Sequence, residues 1–167
     1  CSDSYMLLVR GTLSHDLNQL DLFNCFKGDK FRIYNTVTVD YIEGMRILII
    51  PEEYYSSKDV YKQYFETAEK FDWVFFHGLF SFAGSYALIE GSHHNKICFT
   101  KDDFKDCVFG MVVGGHIHES IEDGNVQYCS SFERWKQGEE TKKGFRIHCY
   151  DTVTRKVTRN DYIENKD

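Results

Sequence analysis

Gly115-His116-Ile117-His118 sets two imidazoles one residue apart, directly after the apolar run Val108-Phe109-Gly110-Met111-Val112-Val113. In an extended strand residues two apart share a face, so both rings are expected on one side of the strand's end. A second apolar run, Trp73-Val74-Phe75-Phe76, also ends in a histidine, His77, followed by Gly78. Neutral imidazole ligates transition metals, and open α/β sheets bind ligands where their strands end. His77, His116 and His118 therefore read as the histidine part of a metal site. The preceding Gly114-Gly115 permits a sharp turn and a close backbone approach there. A third strand-like run, Tyr5-Met6-Leu7-Leu8-Val9, leads into Arg10-Gly11-Thr12-Leu13-Ser14-His15-Asp16. Alone, His15-Asp16 is a helix cap with a solvated histidine. At a third strand end it reads as a catalytic loop, because a neighbouring carboxylate fixes an imidazole's tautomer and raises its basicity.

The elements that must position these residues can be read from periodicity. Asp16 can cap a helix with Leu17, Leu20, Phe23 and Phe26 at helical spacing, ended by Gly28. Residues 31–34 and 36–40 look like paired strands, and Met45 to Ile50 like another, stopped by Pro51. Ser56 or Ser57 caps a helix with Asp59 in its first turn and Val60, Tyr61, Tyr64, Phe65, Ala68 and Phe71 as its apolar face. Residues 80–100 read as a long loop holding His93-His94, and 101–106 as one or two helical turns. Beyond His118 the pattern becomes meandering strands at 125–129, 144–150 and 155–161. In the second of these, Phe145, Ile147 and Cys149 alternate with Arg146, His148 and Tyr150, which predicts a half-buried antiparallel strand with His148 on its polar face. Strand–helix–strand followed by hairpins gives a layered α/β domain with an antiparallel sheet edge.

The chain has 167 residues, 42% hydrophobic, 28% charged and 16% aromatic, the composition of one globular domain rather than a disordered or coiled-coil chain. Its longest apolar run, interrupted by Arg46, is too short to span a bilayer, which predicts a soluble, cytoplasmic protein with no membrane partner. A net charge of −6 argues against a broad basic face for nucleic acid, although metal-holding carboxylates also lower the total. The six cysteines stand singly, with no CxxC pair, so a disulfide framework or zinc knuckle is not indicated.

Gly115-His116-Ile117-His118, His77-Gly78 and Ser14-His15-Asp16 occur in the order and spacing of the calcineurin-like metallophosphoesterases. They resemble that family's Gly-His-x-His, single-histidine and Gly-Asn-His-Asp motifs. Ser131-Phe132-Glu133-Arg134, Gly138-Glu139-Glu140 and Lys143-Gly144-Phe145 are similar to the segment after the last motif in SbcD-like DNA repair nucleases, and Gly-Thr-x-Ser-His-Asp resembles the variant of phage-encoded members. The resemblance covers residues 1–167 as a single partial domain, holding only the later motifs of a calcineurin-like sandwich of mixed sheets flanked by helices. It implies metal-dependent phosphodiester hydrolysis on DNA. His77 and His116 would bind one divalent ion and His118 the other, with Ser14 at the family's metal-bridging asparagine position. Two ions, manganese by the family's habit, would serve as cofactors. His15 would protonate the leaving oxygen or stabilise the transition state, oriented by Asp16. The implied partners are DNA and an SbcC-like ATPase.

Two departures shape the expectation. Ser14 replaces asparagine, and a hydroxyl is a poorer neutral ligand, so Thr12 or a water can take its role. The family's Asp-x-His and Gly-Asp-x-x-Asp motifs, which carry the bridging carboxylate, do not occur ahead of Ser14. Three histidines without a carboxylate do not offset the repulsion between two close divalent ions. The chain alone is therefore expected to bind metal weakly and to need a missing N-terminal half of the same domain. Cys1 fits a truncation, a misplaced start or a splice junction. Same-fold alternatives are a phosphatase or phosphodiesterase on nucleotides or phosphoproteins; the different-class alternative is a non-catalytic DNA- or partner-binding remnant. Arg134, with Trp135, is a candidate nucleic-acid contact. His93 is a candidate near the substrate path, against a solvated loop.

Overall fold

The computed structural model describes residues 4–13, 18–81, 97–132 and 141–166. The described residues form twelve strands: β1 Met6–Val9, β2 Phe31–Tyr34, β3 Thr38–Ile42, β4 Met45–Ile50, β5 Trp73–His77, β6 Leu79–Phe80, β7 Cys98–Phe99, β8 Val112–Gly115, β9 Ser120–Asp123, β10 Val126–Cys129, β11 Gly144–Asp151 and β12 Lys156–Glu164. The central sheet has six strands in the order β3-β4-β5-β8-β10-β9. Its four inner strands are parallel, while β3 and β9 are antiparallel to their neighbours at the two edges. This is an α/β fold with a mixed sheet and short helices.

Parallel strands covered on both faces read as continuous apolar runs, and Ile47-Leu48-Ile49-Ile50 and Trp73-Val74-Phe75-Phe76 do so. Alternate residues serve opposite layers. Leu48, Ile50, Val74, Phe76, Val112, Val126 and Tyr128 pack with Tyr61, Phe99 and Phe104 in one core. Ile47, Ile49, Trp73 and Met111 pack with Tyr34, and with half-buried Leu7, Val9, Tyr150 and Val157, in the other. The parallel pair β1-β2 and the hairpin β11-β12 therefore cover one face; the helical turns and β6-β7 cover the other.

Helices are shorter than periodicity suggests. Ser57 is the cap of the second one, its hydroxyl accepting from the Asp59 amide at 3.1 Å. The helix is a 3-10 turn Lys58–Tyr61 followed by Lys62–Phe65, and Phe71 enters the core from beyond its end. Lys101–Phe104 is one turn, closed by a Thr100/Asp103 capping box. Gln19–Phe26 is a 3-10 helix with no buried residue, and two residues of the apolar stripe read from its spacing face solvent: Phe23 is 42% and Phe26 64% exposed.

Strand β11 lies where the alternation predicts, but its faces are inverted. Phe145, Ile147 and Cys149 are exposed, while Arg146, His148 and Tyr150 turn inward. The reason is what lies beneath. Trp73 packs edge-on against both His148 and Tyr150, and polar partners await all three inward residues.

Candidate metal centre

The registers Ile50↔Phe76 and His77↔Gly115 bring the carboxyl ends of β4, β5 and β8 level at one edge of the sheet. Each end delivers one polar side chain. Glu52 follows β4 across Pro51, His77 closes β5, and His116 follows β8. Glu52 is 4% exposed, and its Oε2 lies 2.8 Å from His77 Nδ1 and 3.0 Å from His116 Nδ1. The two rings stand nearly perpendicular, 5.3 Å between centroids. Buried Thr12, just beyond β1, completes the group: its hydroxyl donates to Glu52 Oε2 at 3.1 Å and lies 3.3 Å from His116 Nδ1.

These spacings suit a metal ion. Nitrogen and oxygen donors about 2.1 Å from a divalent ion sit about 3 Å apart when they meet at right angles. Glu52, His77 and His116 are the group among the described residues whose ligand atoms converge in this way. One carboxylate and two imidazoles form a mixed donor set suited to manganese, iron or zinc. The three could hold one ion.

The backbone is shaped to bring the rings together. A Cβ at Gly115 would stand 2.9 Å from His77 Cδ2, so the imidazole uses the space that a side chain there would fill. A Cβ at Gly114 would meet the rings of Tyr128 and Phe76 at 2.5 and 2.6 Å. His116 adopts φ 104°, a conformation rarely taken by non-glycine residues, and this turn swings its ring toward Glu52. Behind His77, the Tyr128 hydroxyl donates to the Gly78 carbonyl at 2.6 Å and the Gly78 amide to the Gly115 carbonyl at 3.2 Å. Beside Glu52, burial raises the pKa of Glu53 while Arg10 draws it down. Arg10 also reaches the Glu52 carbonyl at 3.4 Å, pinning the segment after β4. A cavity lined by Glu52, Glu53, Tyr61 and His77 opens next to the group.

The His-x-His spacing predicts His116 and His118 on one face of a continuing strand. The strand instead ends at Gly115, and the φ of His116 breaks the alternation. His77 and His116 meet, and His118 stands outside the convergent group. The His118 carbonyl accepts from Lys143 Nζ at 2.7 Å and from the Ser130 hydroxyl at 3.1 Å. Ser14, His15, Asp16, His93 and Arg134 lie outside the described residues. Motif reasoning misses Glu52 and leaves the histidines without a carboxylate; the structure supplies one from this chain. The position of Glu52 offers the signal, since it follows an apolar strand run just as His77 and His116 do.

No family model matches the chain, and no curated protein matches its sequence significantly. No helix among the described residues is long and apolar enough to cross a membrane.

Proposed function

We propose that this chain carries part of a metallophosphoesterase catalytic domain that hydrolyses phosphodiesters, with DNA as substrate. The observation that carries the reading is the convergence of Glu52, His77 and His116 from the ends of three adjacent parallel strands. A divalent ion bound there would supply Lewis acidity to a phosphoryl oxygen. Glu52 contributes the negative charge that lets the site retain a cation, and Thr12 orients that carboxylate. Gly115 leaves room for the His77 ring, and the Lys143 contact steadies the His116–His118 loop. A second ion at His118, acid catalysis by His15 with Asp16, and an ATPase partner rest on the motif resemblance, as does the choice of DNA over nucleotides or phosphoproteins.

A second reading has its own support. Glu52 Oε2 lies within hydrogen-bond range of Thr12 and both imidazoles, so the cluster also forms a buried polar network without metal, with Glu52 Oε1 taking no hydrogen bond among the described residues. One experiment separates the two. The full encoded polypeptide is stripped with chelator, titrated calorimetrically with Mn2+, and assayed on linear DNA and on a small aryl phosphodiester. Stoichiometric binding and metal-dependent cleavage are expected, both lost in His77→Ala. Absence of binding refutes the metal site; binding with neither substrate cleaved refutes the phosphodiesterase.

A further inference from the structure

Gln127 is fully buried on β10, at the inner face of the β11-β12 hairpin. Its Nε2 lies 2.7 Å from His148 Nε2, and its Oε1 accepts from Asn160 Nδ2 at 3.2 Å. Asn160 Oδ1 accepts in turn from Arg146 Nη1 at 3.1 Å. The direction of this chain of bonds is not free. A guanidinium can only donate. Arg146 therefore fixes the Asn160 oxygen toward itself and the Asn160 amino group toward Gln127. That fixes the Gln127 oxygen toward Asn160 and its amino group toward His148. In that orientation the His148 Nε2 accepts, so the imidazole is neutral and carries its proton on Nδ1, a buried nitrogen with no hydrogen-bond partner of its own among the described residues. Protonation would set an N–H against the Gln127 amino group. Turning the Gln127 amide over only moves the donor–donor clash to Asn160, and turning that over moves it to Arg146.

We infer that the Arg146–Asn160–Gln127–His148 chain is a pH-sensitive latch that holds the β11-β12 hairpin on the sheet only while His148 is neutral. The surroundings reinforce this. From β11, Arg146 faces the ring with its own charge, paired to Glu122 of β9 at 2.9 Å, and Tyr150 flanks it. β12 contributes Asn160 and Tyr162, the latter under the Arg146 guanidinium. From β5, Trp73 covers the ring; the adjacent Asp72 is engaged by the Tyr150 hydroxyl at 2.7 Å and by Arg155 at 3.8 Å. No carboxylate bonds to the imidazole among the described residues. Burial first, and then Arg146, lower the His148 pKa below its ordinary value. The latch has a functional reach, because Lys143 at the start of the hairpin holds the His118 carbonyl. Loosening the hairpin would free the loop that carries His116 and His118. The latch itself stands whether or not that loop binds metal.

The test is long-range proton–nitrogen NMR of the histidine rings, with amide exchange of residues 144–150 followed from pH 8 to pH 5 and corrected for intrinsic rates. The His148 ring is expected as the Nδ1–H tautomer at neutral pH. Hairpin exchange should rise roughly tenfold as the ring protonates, the effect of losing one buried hydrogen bond. Gln127→Glu supplies an acceptor that a protonated ring can use; it should raise the His148 titration and keep the hairpin protected in acid. His148→Phe should remove the pH dependence. An Nε2–H tautomer, or hairpin protection unchanged through the titration, overturns the latch. Should Gln127→Glu fail to fold, the tautomer measured on the unaltered chain decides.

Discussion

Glu52→Gln separates a metal ligand from a hydrogen-bond acceptor, because it keeps the shape of the side chain and removes its charge. In the metal-free protein the amide oxygen can still accept from Thr12, His77 and His116. The cost there is the difference between charged and neutral hydrogen bonds, about 1 kcal/mol for each imidazole contact, partly offset by no longer burying a charge at 4% exposure. Toward a cation the change is larger, since the site loses its only anionic donor among the converging three. A loss of about 3 kcal/mol in binding is roughly a hundredfold in affinity. At a metal concentration about 100 times the unaltered protein's dissociation constant, binding stabilises that protein by about 2.7 kcal/mol. The variant at the same concentration gains about 0.4 kcal/mol. In a domain of this size each kcal/mol moves the melting temperature by about 2–4 °C. Thermal melts with and without Mn2+ should therefore show a rise of roughly 5–11 °C for the unaltered chain and about 1 °C for Glu52→Gln. Equal shifts in the two proteins would refute Glu52 as a ligand; no shift in either would refute the site.

Three other substitutions test the supports of the site and fold. Gly115→Ala forces a Cβ against the His77 ring at 2.9 Å; denaturant melts should show a loss of about 1–3 kcal/mol, and the Mn2+ shift should shrink with it. His116 holds φ 104°, so His116→Gly should be about 1 kcal/mol more stable than His116→Ala, while both lose the metal response; equal stability would refute the strain. Tyr34, pushed up to about 12 by burial and then by Asp40, keeps in the folded chain a proton that the unfolded chain loses near pH 10. That stability is complete below about pH 10 and is lost as pH rises toward 12, on the order of 2–3 kcal/mol. Tyr34→Phe should flatten that part of the alkaline stability profile, and an unchanged slope would refute the assignment.

Strands β4 and β5 were legible because they are buried on both faces, and burial of that kind leaves nearly continuous apolar runs in the sequence. The cap at Ser57 was legible for a similar reason, since its hydroxyl acts on an amide two residues away. Failures came where a face is decided by a distant partner. The alternation in β11 marks a strand but not its inside, because Trp73, Gln127 and Asp72, far away in sequence, offer aromatic and polar contacts that suit Arg146, His148 and Tyr150. The helical stripe of Leu17, Leu20, Phe23 and Phe26 has the right spacing, yet the ring that meets Phe23 and Phe26 is Phe31 of β2, through contacts that leave both exposed.

The candidate site shows the same division more sharply. Histidine is rare enough that three of them at strand ends stand out, whereas Pro51-Glu52-Glu53 looks like any solvated turn after a strand. What distinguishes Glu52 is that β4 lies parallel beside β5, in a register that sets Ile50 against Phe76 and so places the next turn of chain beside His77. Sheet order is a long-range property that local periodicity does not contain. The strand-end rule nevertheless holds a usable constraint: every polar residue close beyond a buried parallel strand's carboxyl end is a candidate for the same crevice. Applied to the parallel strands of the central sheet, it brings Glu52, His77 and His116 together from β4, β5 and β8. The rule is weaker for His118, because it assumes the strand direction persists, and a single residue at φ 104° ends that persistence.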